Sequence, residues 1–247
     1  MKKNRFVKLA SGLLVLCLMT TCVIGATLAK YTTSGSGADT ARVAKWGVRI
    51  SALANSVFDT EYAKDDVGYA GTLSVKSSTT EKVVAPGTSG SAAQFSITGT
   101  PEVAVRLSFA LTDVTEVKLT AGTYTNTDGA TVTLGSEYNP IKWTLKKNDT
   151  DVTGAVNLTL AEMATFLSTY TVDYEPNTDL STTVPTYKLS WAWDFDDGHG
   201  TNDKADSILG DLAAGVSGIT KDSAAIETAD YSTQVSYTLT ITATQID

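Results

Sequence analysis

An acidic segment between residues 194 and 206 holds the densest group of side chains that could bind a metal ion. Its candidate calcium ligands are Asp194, Asp196, Asp197 and Asp203. Ca²⁺ prefers six to eight oxygen ligands, which carboxylates clustered with glycines can supply. The spacing is not that of an EF-hand, because Gly198 comes early and no glutamate closes the loop. The alternative interpretation is a solvated connection from a strand to a helix, with acidic side chains at the helix N-terminus.

Histidine and cysteine, on which much metal and nucleophilic catalysis depends, are scarce in this chain. His199 is the only histidine, and the two cysteines, Cys17 and Cys22, lie near the N-terminus. A zinc hydrolase needs at least two histidine or cysteine ligands and a general base. The sequence also lacks the His-Glu-x-x-His, Gly-x-Ser-x-Gly and phosphate-binding glycine motifs. We therefore predict that the protein is not an enzyme, has no catalytic residues and, calcium aside, uses no cofactor.

Four tryptophans raise the question of a carbohydrate-binding surface: Trp46, Trp143, Trp191 and Trp193. Trp191 and Trp193 belong to a segment, from Tyr187 to Phe195, in which every second residue is apolar or aromatic. This alternation predicts a strand with one buried face, on which Phe195 also lies. Core packing is therefore favoured for these aromatic side chains. A glycan- or partner-binding module is kept as the alternative function.

The N-terminus has the pattern of a secretory signal peptide. Four basic residues precede an apolar stretch that ends in mostly small residues at 25–29. This pattern predicts cleavage after Ala29, with Thr27 and Ala29 as the small residues before the cut and Lys30 as the first mature residue. The alternative is a membrane anchor that is retained, because the apolar run is about long enough to span a bilayer. No second apolar run follows, so cleavage leaves no permanent membrane anchor.

Cleavage would leave a strongly acidic protein without cysteine. The leader holds four of the 19 basic residues and none of the 27 acidic ones, so 15 basic and 27 acidic residues remain, a formal net charge of −12. Nucleic-acid binding depends on Lys and Arg that neutralise phosphates, and this balance argues against it. We predict a secreted protein, located in the extracellular matrix or on the cell surface. Residues 1–29 are the leader, 30–42 a flexible mature N-terminus and 43–247 one domain.

Alternating side chains in several segments predict that this domain is all-β. Threonine supplies 40 of the 247 residues, and β-branched side chains favour strands. Period-two alternation marks the segments 44–50, 95–97, 103–111, 141–145, 187–195 and 235–243, and shorter candidates lie at 57–62, 72–75 and 131–134. Asp128-Gly129 is a typical hairpin tip. Many short antiparallel strands separated by turns indicate a β-sandwich or jelly roll.

Two segments predict short helices at the periphery of the sheets. Thr159 and Glu162 form a capping box before apolar residues at helical spacing. Asp203 can cap a second helix, which should end near Gly215.

Four short motifs stand out along the chain: the exit from the leader at 25–31, a possible first mature strand at 41–48, a Pro-Gly turn at 84–90 before a strand, and Trp191-Ala192-Trp193 followed by an acidic loop. Together they resemble the TasA/camelysin-like proteins, a family of secreted Gram-positive matrix and surface proteins. The resemblance implies processing by a SipW-type signal peptidase and a jelly-roll sandwich that often assembles into fibres. Some members are described as metalloproteases, but the ligands for that activity are missing here.

Assembly of such a domain has a simple physical route. The unpaired N–H and C=O groups of an edge strand can pair with another chain. The mature N-terminus, from Tyr31 towards Val43, could extend along a neighbour's sheet edge as a donated strand. Because this contact is head-to-tail, it would propagate as a filament of identical copies. The predicted function is therefore a structural subunit of matrix or surface fibres, and the alternative is a monomeric binding module.

Overall fold

The computed structural model describes residues 10–15, 42–53, 56–63, 73–92, 94–195 and 198–246. The chain divides into two units, Met1–Lys45 and Trp46–Asp247. In the first unit, residues 10–15 form a helix, α1, and residues 42–45 have no regular secondary structure. Within the described ranges, every helix is too short or too polar to cross a membrane.

The second unit consists mainly of antiparallel strands, which confirms the mostly β prediction. In chain order the strands are β1 (Arg49–Ala52), β2 (Glu61–Ala63), β3 (Leu73–Lys76), β4 (Thr88–Ser91), β5 (Phe95–Thr98), β6 (Val105–Thr115), β7 (Lys118–Leu119), β8 (Gly122–Thr125), β9 (Thr131–Leu134), β10 (Ile141–Lys147), β11 (Thr150–Asp151), β12 (Thr171–Tyr174), β13 (Thr186–Trp193), β14 (Thr220–Lys221), β15 (Ala224–Ala225), β16 (Tyr231–Ser232) and β17 (Ser236–Gln245). Two helices interrupt them, α2 (Leu160–Thr169) and α3 (Gly200–Ala213).

Two larger sheets and several small ones organise these strands. The largest sheet has the order β1-β5-β13-β10-β11, and β4 pairs with the end of β13 that β5 leaves free. A three-stranded sheet has the order β12-β6-β17. The remaining sheets, β15-β14-β8-β9, β16-β7 and β2-β3, consist of strands of two to four residues and are smaller in area. All the pairings are antiparallel, as the short turns between strands suggest.

Alternation along the strands correctly predicts which side chains enter the core. β13 buries Tyr187, Leu189, Trp191 and Trp193 and leaves the residues between them partly exposed. β6 and β10 alternate in the same way, and β17 more weakly. The hairpin at Asp128-Gly129 is also confirmed, since β8 and β9 pair on either side of it.

Several predicted strand ends differ from the structure, and two of the differences have a clear local cause. The first strand begins at Arg49 rather than near residue 44, because Gly47 has a positive φ of 58° that breaks the extended backbone. The strand predicted to reach Phe195 is β13, which ends at Trp193 together with its pairing to Ile141. The prediction that Phe195 is buried is therefore wrong: the side chain is 76% exposed, because no neighbouring strand extends far enough to cover it.

The first helix of this unit, α2, begins as the sequence predicts. The Thr159 side chain accepts from the N–H of Glu162, and the Glu162 carboxylate accepts from the N–H of Thr159, so the capping box is complete. A third side chain also caps this helix. Glu116, which follows β6, accepts hydrogen bonds from the N–H groups of Leu160 and Ala161. Helix α2 packs against β6 and β10 through its buried apolar face.

The second helix, α3, begins earlier than predicted. His199 rather than Asp203 occupies the N-cap position, without a side-chain capping bond. The N–H of Asn202 bonds to the carbonyl of His199 at 2.7 Å, so the first turn forms before Asp203 is reached. Asp203 lies in that first turn, where its charge is favourable to the helix dipole. The helix ends with Ala214 at the C-cap, close to the predicted end at Gly215.

Aromatic contacts join the two larger sheets. The ring of Phe109 on β6 lies 5.0 Å from that of Tyr187 on β13, measured between centroids. The ring of Trp143 on β10 lies 5.3 Å from that of Tyr237 on β17. The core of the unit therefore lies between side chains that both sheets contribute.

Candidate functional site

The acidic segment borders a cleft of about 200 Å³ at one end of β10 and β13. The turn before β10 contributes one wall, the end of β13 contributes Trp193 and Asp194, and the first turns of α3 contribute the rest. The residues around the cleft are Glu137, Tyr138, Asn139, Pro140, Lys142, Trp193, Asp194, Asn202, Asp203 and Asp206. Carboxylate, amide and hydroxyl groups therefore surround this space.

The Asp206 carboxylate connects the segments that border this cleft. One carboxylate oxygen, Oδ1, accepts a 2.7 Å hydrogen bond from the hydroxyl of Tyr138. The other, Oδ2, accepts a 3.0 Å bond from the indole Nε1 of Trp193. The carboxylate of α3 is thereby tied to both β13 and the turn before β10. Asp206 is thus a structural group whose two oxygens already have protein donors.

Glu137 and Asn139 form a second polar group on the wall of the cleft. Glu137 accepts 2.7 Å and 3.1 Å hydrogen bonds from Lys118 and from the amide nitrogen of Asn139. Burial by itself would raise the pKa of Glu137, but these two bonds outweigh it and hold the pKa below its usual range. The amide oxygen of Asn139 is buried and, among the described residues, has no hydrogen-bond donor.

The predicted calcium ligands are only partly described. Asp194 and Asp203 are both exposed and both border the cleft. Asp196 and Asp197 lie outside the described residues. In the part of the chain that the structure covers, no three histidine, cysteine or acidic side chains converge as a metal site would require. A calcium site at this loop therefore stays a prediction.

An exposed aromatic ring lies beside the cleft. Phe195 borders a second, shallower depression together with Pro86, Ser207 and two residues of the cleft, Asp203 and Asp206. Gly87 lies under this ring with a φ of 80°, and a side chain there would meet the Cβ of Phe195 at 3.2 Å. A bare glycine backbone therefore lets the ring pack on the Pro-Gly turn while most of its surface stays in solvent.

The tryptophans are not part of this surface, apart from the indole of Trp193. Trp143, Trp191 and Trp193 are buried, which confirms their assignment to the core. The indole of Trp191 donates a 2.8 Å hydrogen bond to the carbonyl of Val57. Trp46 is 40% exposed and borders none of the depressions described above.

The residues predicted for export and assembly lie mainly outside the described ranges. These are the cleavage-site residues Thr27, Ala29 and Lys30, together with Tyr31 of the proposed donor strand. Val43, the other end of that strand, lies in a stretch without regular structure and is 70% exposed. Its exposure leaves it accessible to another chain.

The open edges of the larger sheets are a second candidate for function. The six-stranded sheet ends in β1 and β11, and the three-stranded sheet ends in β12 and β17. Strand β17 is the longest of these four, with ten residues. Sequence reasoning predicted that edges would exist, but the identity of the edge strands depends on pairing over long distances along the chain. No protein-family model, no curated protein and no solved structure is found to match this chain.

Proposed function

We propose that this protein is a secreted structural subunit of extracellular matrix or cell-surface fibres, similar to the TasA/camelysin-like proteins. In this proposal the two larger sheets form a jelly-roll sandwich, and each copy donates its N-terminal segment to the next copy. The observation that carries the proposal is a domain of antiparallel sheets whose long edge strand is open among the described residues. Open edges supply main-chain donors and acceptors that an added strand can satisfy.

The N-terminal sequence supports export and donation. The apolar side chains of Leu13, Leu14 and Val15 in α1 are more than half exposed, as expected of a leader that is removed rather than packed in a core. Residues 30–42 precede β1 and, if extended, would reach about 43 Å at roughly 3.3 Å per residue. That reach is longer than a ten-residue strand, so the segment could pair along a whole edge of a neighbour.

Deletion of residues 30–42 tests strand donation directly. The exported wild-type protein is expected to form filaments visible by negative-stain electron microscopy, and the deletion variant is expected to form none. A variant in which a Gly/Ser segment of equal length replaces 30–42 serves as the matched control, because it keeps the length and removes the donor side chains. It should also form no filaments. Filaments that persist in the deletion variant would refute strand donation.

A second candidate function is glycan binding, and the exposed ring of Phe195 beside the polar cleft favours it. Sugar rings stack on aromatic faces, while carboxylate and amide groups accept bonds from their hydroxyls. On this hypothesis Phe195→Ala should reduce binding to an immobilised polysaccharide at least tenfold. Trp46→Ala, which removes an exposed aromatic ring elsewhere, should leave binding unchanged. Equal binding by Phe195→Ala and wild type on a glycan array would exclude this surface.

A further inference from the structure

Strand β17 is paired on one side only. Its antiparallel partner is β6, and among the described residues no strand pairs with its other side. The register runs without a break from Thr238, opposite Thr112, to Gln245, opposite Val105. Among the residues that the structure describes, nearly the whole length of β17 therefore has one unpaired edge.

The hydrogen bond just after β17 shows which main-chain groups face that edge. The N–H of Ile246 donates to the carbonyl of Ala104 at 3.1 Å, so the amide of residue 246 points towards β6. Successive residues of a strand point their main-chain groups to opposite sides. The amides of Thr238, Thr240, Thr242 and Thr244 therefore face β6. Those of Leu239, Ile241, Ala243 and Gln245 face the open edge.

This edge lacks the features that usually prevent pairing with another chain. Proteins protect edges with charged residues, prolines and strong bulges. The sequence of β17, SYTLTITATQ, contains no charged residue, proline or glycine, and its one irregularity lies at its start. Three other edge strands of the larger sheets carry a charge, Arg49 in β1, Asp151 in β11 and Asp173 in β12, and the uncharged β4 is only four residues long. Asp173 is also held in an ion pair with Arg106.

The side chains of β17 are complementary to a second copy of themselves. Ser236, Thr238, Thr240, Thr242 and Thr244 are exposed on one face, and the apolar residues between them point towards the core. Hydrogen bonding at the open edge needs odd-numbered residues opposite odd-numbered residues in an antiparallel pair. Threonine must then lie opposite threonine, and apolar side chains opposite apolar side chains. Opposed threonines can hydrogen-bond, and such pairs stabilise sheets.

We propose that β17 pairs in antiparallel fashion with β17 of a second copy, about a two-fold axis, and joins two three-stranded sheets into one continuous six-stranded sheet. A register with the axis at Ile241 overlaps residues 237–245 of the two strands and leaves out only Ser236, at the irregular start of β17. Leu239 then pairs with Ala243 of the second copy through two main-chain hydrogen bonds. Thr240 lies opposite Thr242 of the second copy. The interface is isologous and closes as a dimer, unlike the head-to-tail contact of strand donation.

This dimer does not depend on residues 30–42. The proposed function uses a donated N-terminal segment, whereas the β17 contact uses only residues 236–245 of each copy. Both contacts can form only if the donated segment pairs with another open edge, and the dimer would then link two filaments side by side. If strand donation fails, the dimer should remain.

A pair of proline variants tests the contact. Ala243→Pro removes an N–H at the open edge, where proline is tolerated in an edge strand. Thr242→Pro removes an N–H that bonds to β6 and is expected to destabilise the fold. Sedimentation velocity should show a dimer for the wild type and half that mass for Ala243→Pro, with nearly the same unfolding midpoint. A monomeric wild type, or a dimeric Ala243→Pro, would overturn the proposal.

A pair of charge variants tests the register without touching main-chain bonds. The double variant Thr240→Lys with Thr242→Lys places two lysines opposite each other at each contact and should give a monomer. Thr240→Lys with Thr242→Glu places lysine opposite glutamate and should restore the dimer. Dimerisation that is equal in both double variants would contradict the pairing.

The same measurements are made on protein that lacks residues 30–42. A dimer that persists there and responds to the same substitutions supports pairing between β17 strands. Loss of all association on deletion would mean that the N-terminal segment of another copy occupies this edge instead, and would overturn the inference.

Discussion

The Trp143→Ala variant is expected to unfold with a free energy about 3–5 kcal/mol lower than that of the wild type. Trp143 is only 1% exposed and lies on β10 within the largest sheet. Its indole packs edge-on against Phe58, at 6.0 Å between centroids, and against Tyr237, at 5.3 Å. Truncation would remove contacts that join β10 to β17 and to the segment before β2, and would leave a cavity between them.

Denaturant titration followed by circular dichroism measures this change in stability. Trp46→Ala is the matched control, because the same side chain is removed from a position where it is 40% exposed. Substitutions at exposed sites without special contacts usually change stability by about 0.5 kcal/mol or less. Equal unfolding free energies for the two variants would show that the Trp143 side chain does not connect the sheets as described.

The free energy of unfolding of the Asp206→Ala variant is expected to be about 1–3 kcal/mol lower than that of the wild type, because two hydrogen-bond donors lose their acceptor. The Asp206 carboxylate accepts from the Tyr138 hydroxyl and from the Trp193 indole, and both hydrogen bonds are partly buried. Asp206→Asn should lower the free energy of unfolding less, because the amide keeps one oxygen as an acceptor. Thermal or denaturant unfolding measures both variants.

Asp203→Ala is the comparison within the same helix. Asp203 is exposed in the first turn of α3, so its removal costs only a favourable interaction with the helix dipole, about 0.3–1 kcal/mol. If Asp203→Ala destabilised the protein as much as Asp206→Ala, the cleft would depend on the whole acidic cluster. That result would contradict the assignment of the destabilisation to the two hydrogen bonds of Asp206.

The β-strands were predictable because alternation is a local property of the chain. The apolar residues of β6 and β13 recur at every second position, and the structure buries them. Phe195 fits the same pattern but is exposed, since burial also requires a neighbouring strand that reaches as far. The start of α2 was predictable from the spacing of Thr159 and Glu162. Glu116, 43 residues before Thr159 in the sequence, gave no local signal of its contribution to that cap.

The cleft was predictable only in part. The acidic segment marked Asp194 and Asp203 as polar residues at a connection between a strand and a helix, and both border the cleft. The roles of Tyr138, Asn139 and Glu137 were not predicted, because they come from a turn more than fifty residues earlier in the chain. No local pattern indicates that Asp206 accepts from Trp193 and Tyr138, since its spacing fits an exposed helix turn equally well.

By itself, the sequence determined the class of fold, the buried face of each long strand and the positions of the two helices. These depend on residue type and on spacing over a few positions, which set the local backbone conformation. Only the tertiary structure decided which strands pair, that β17 lies at an edge, and which side chains meet at the cleft. Those features depend on contacts between segments distant in the chain, whose partners are chosen by the packing of the whole core.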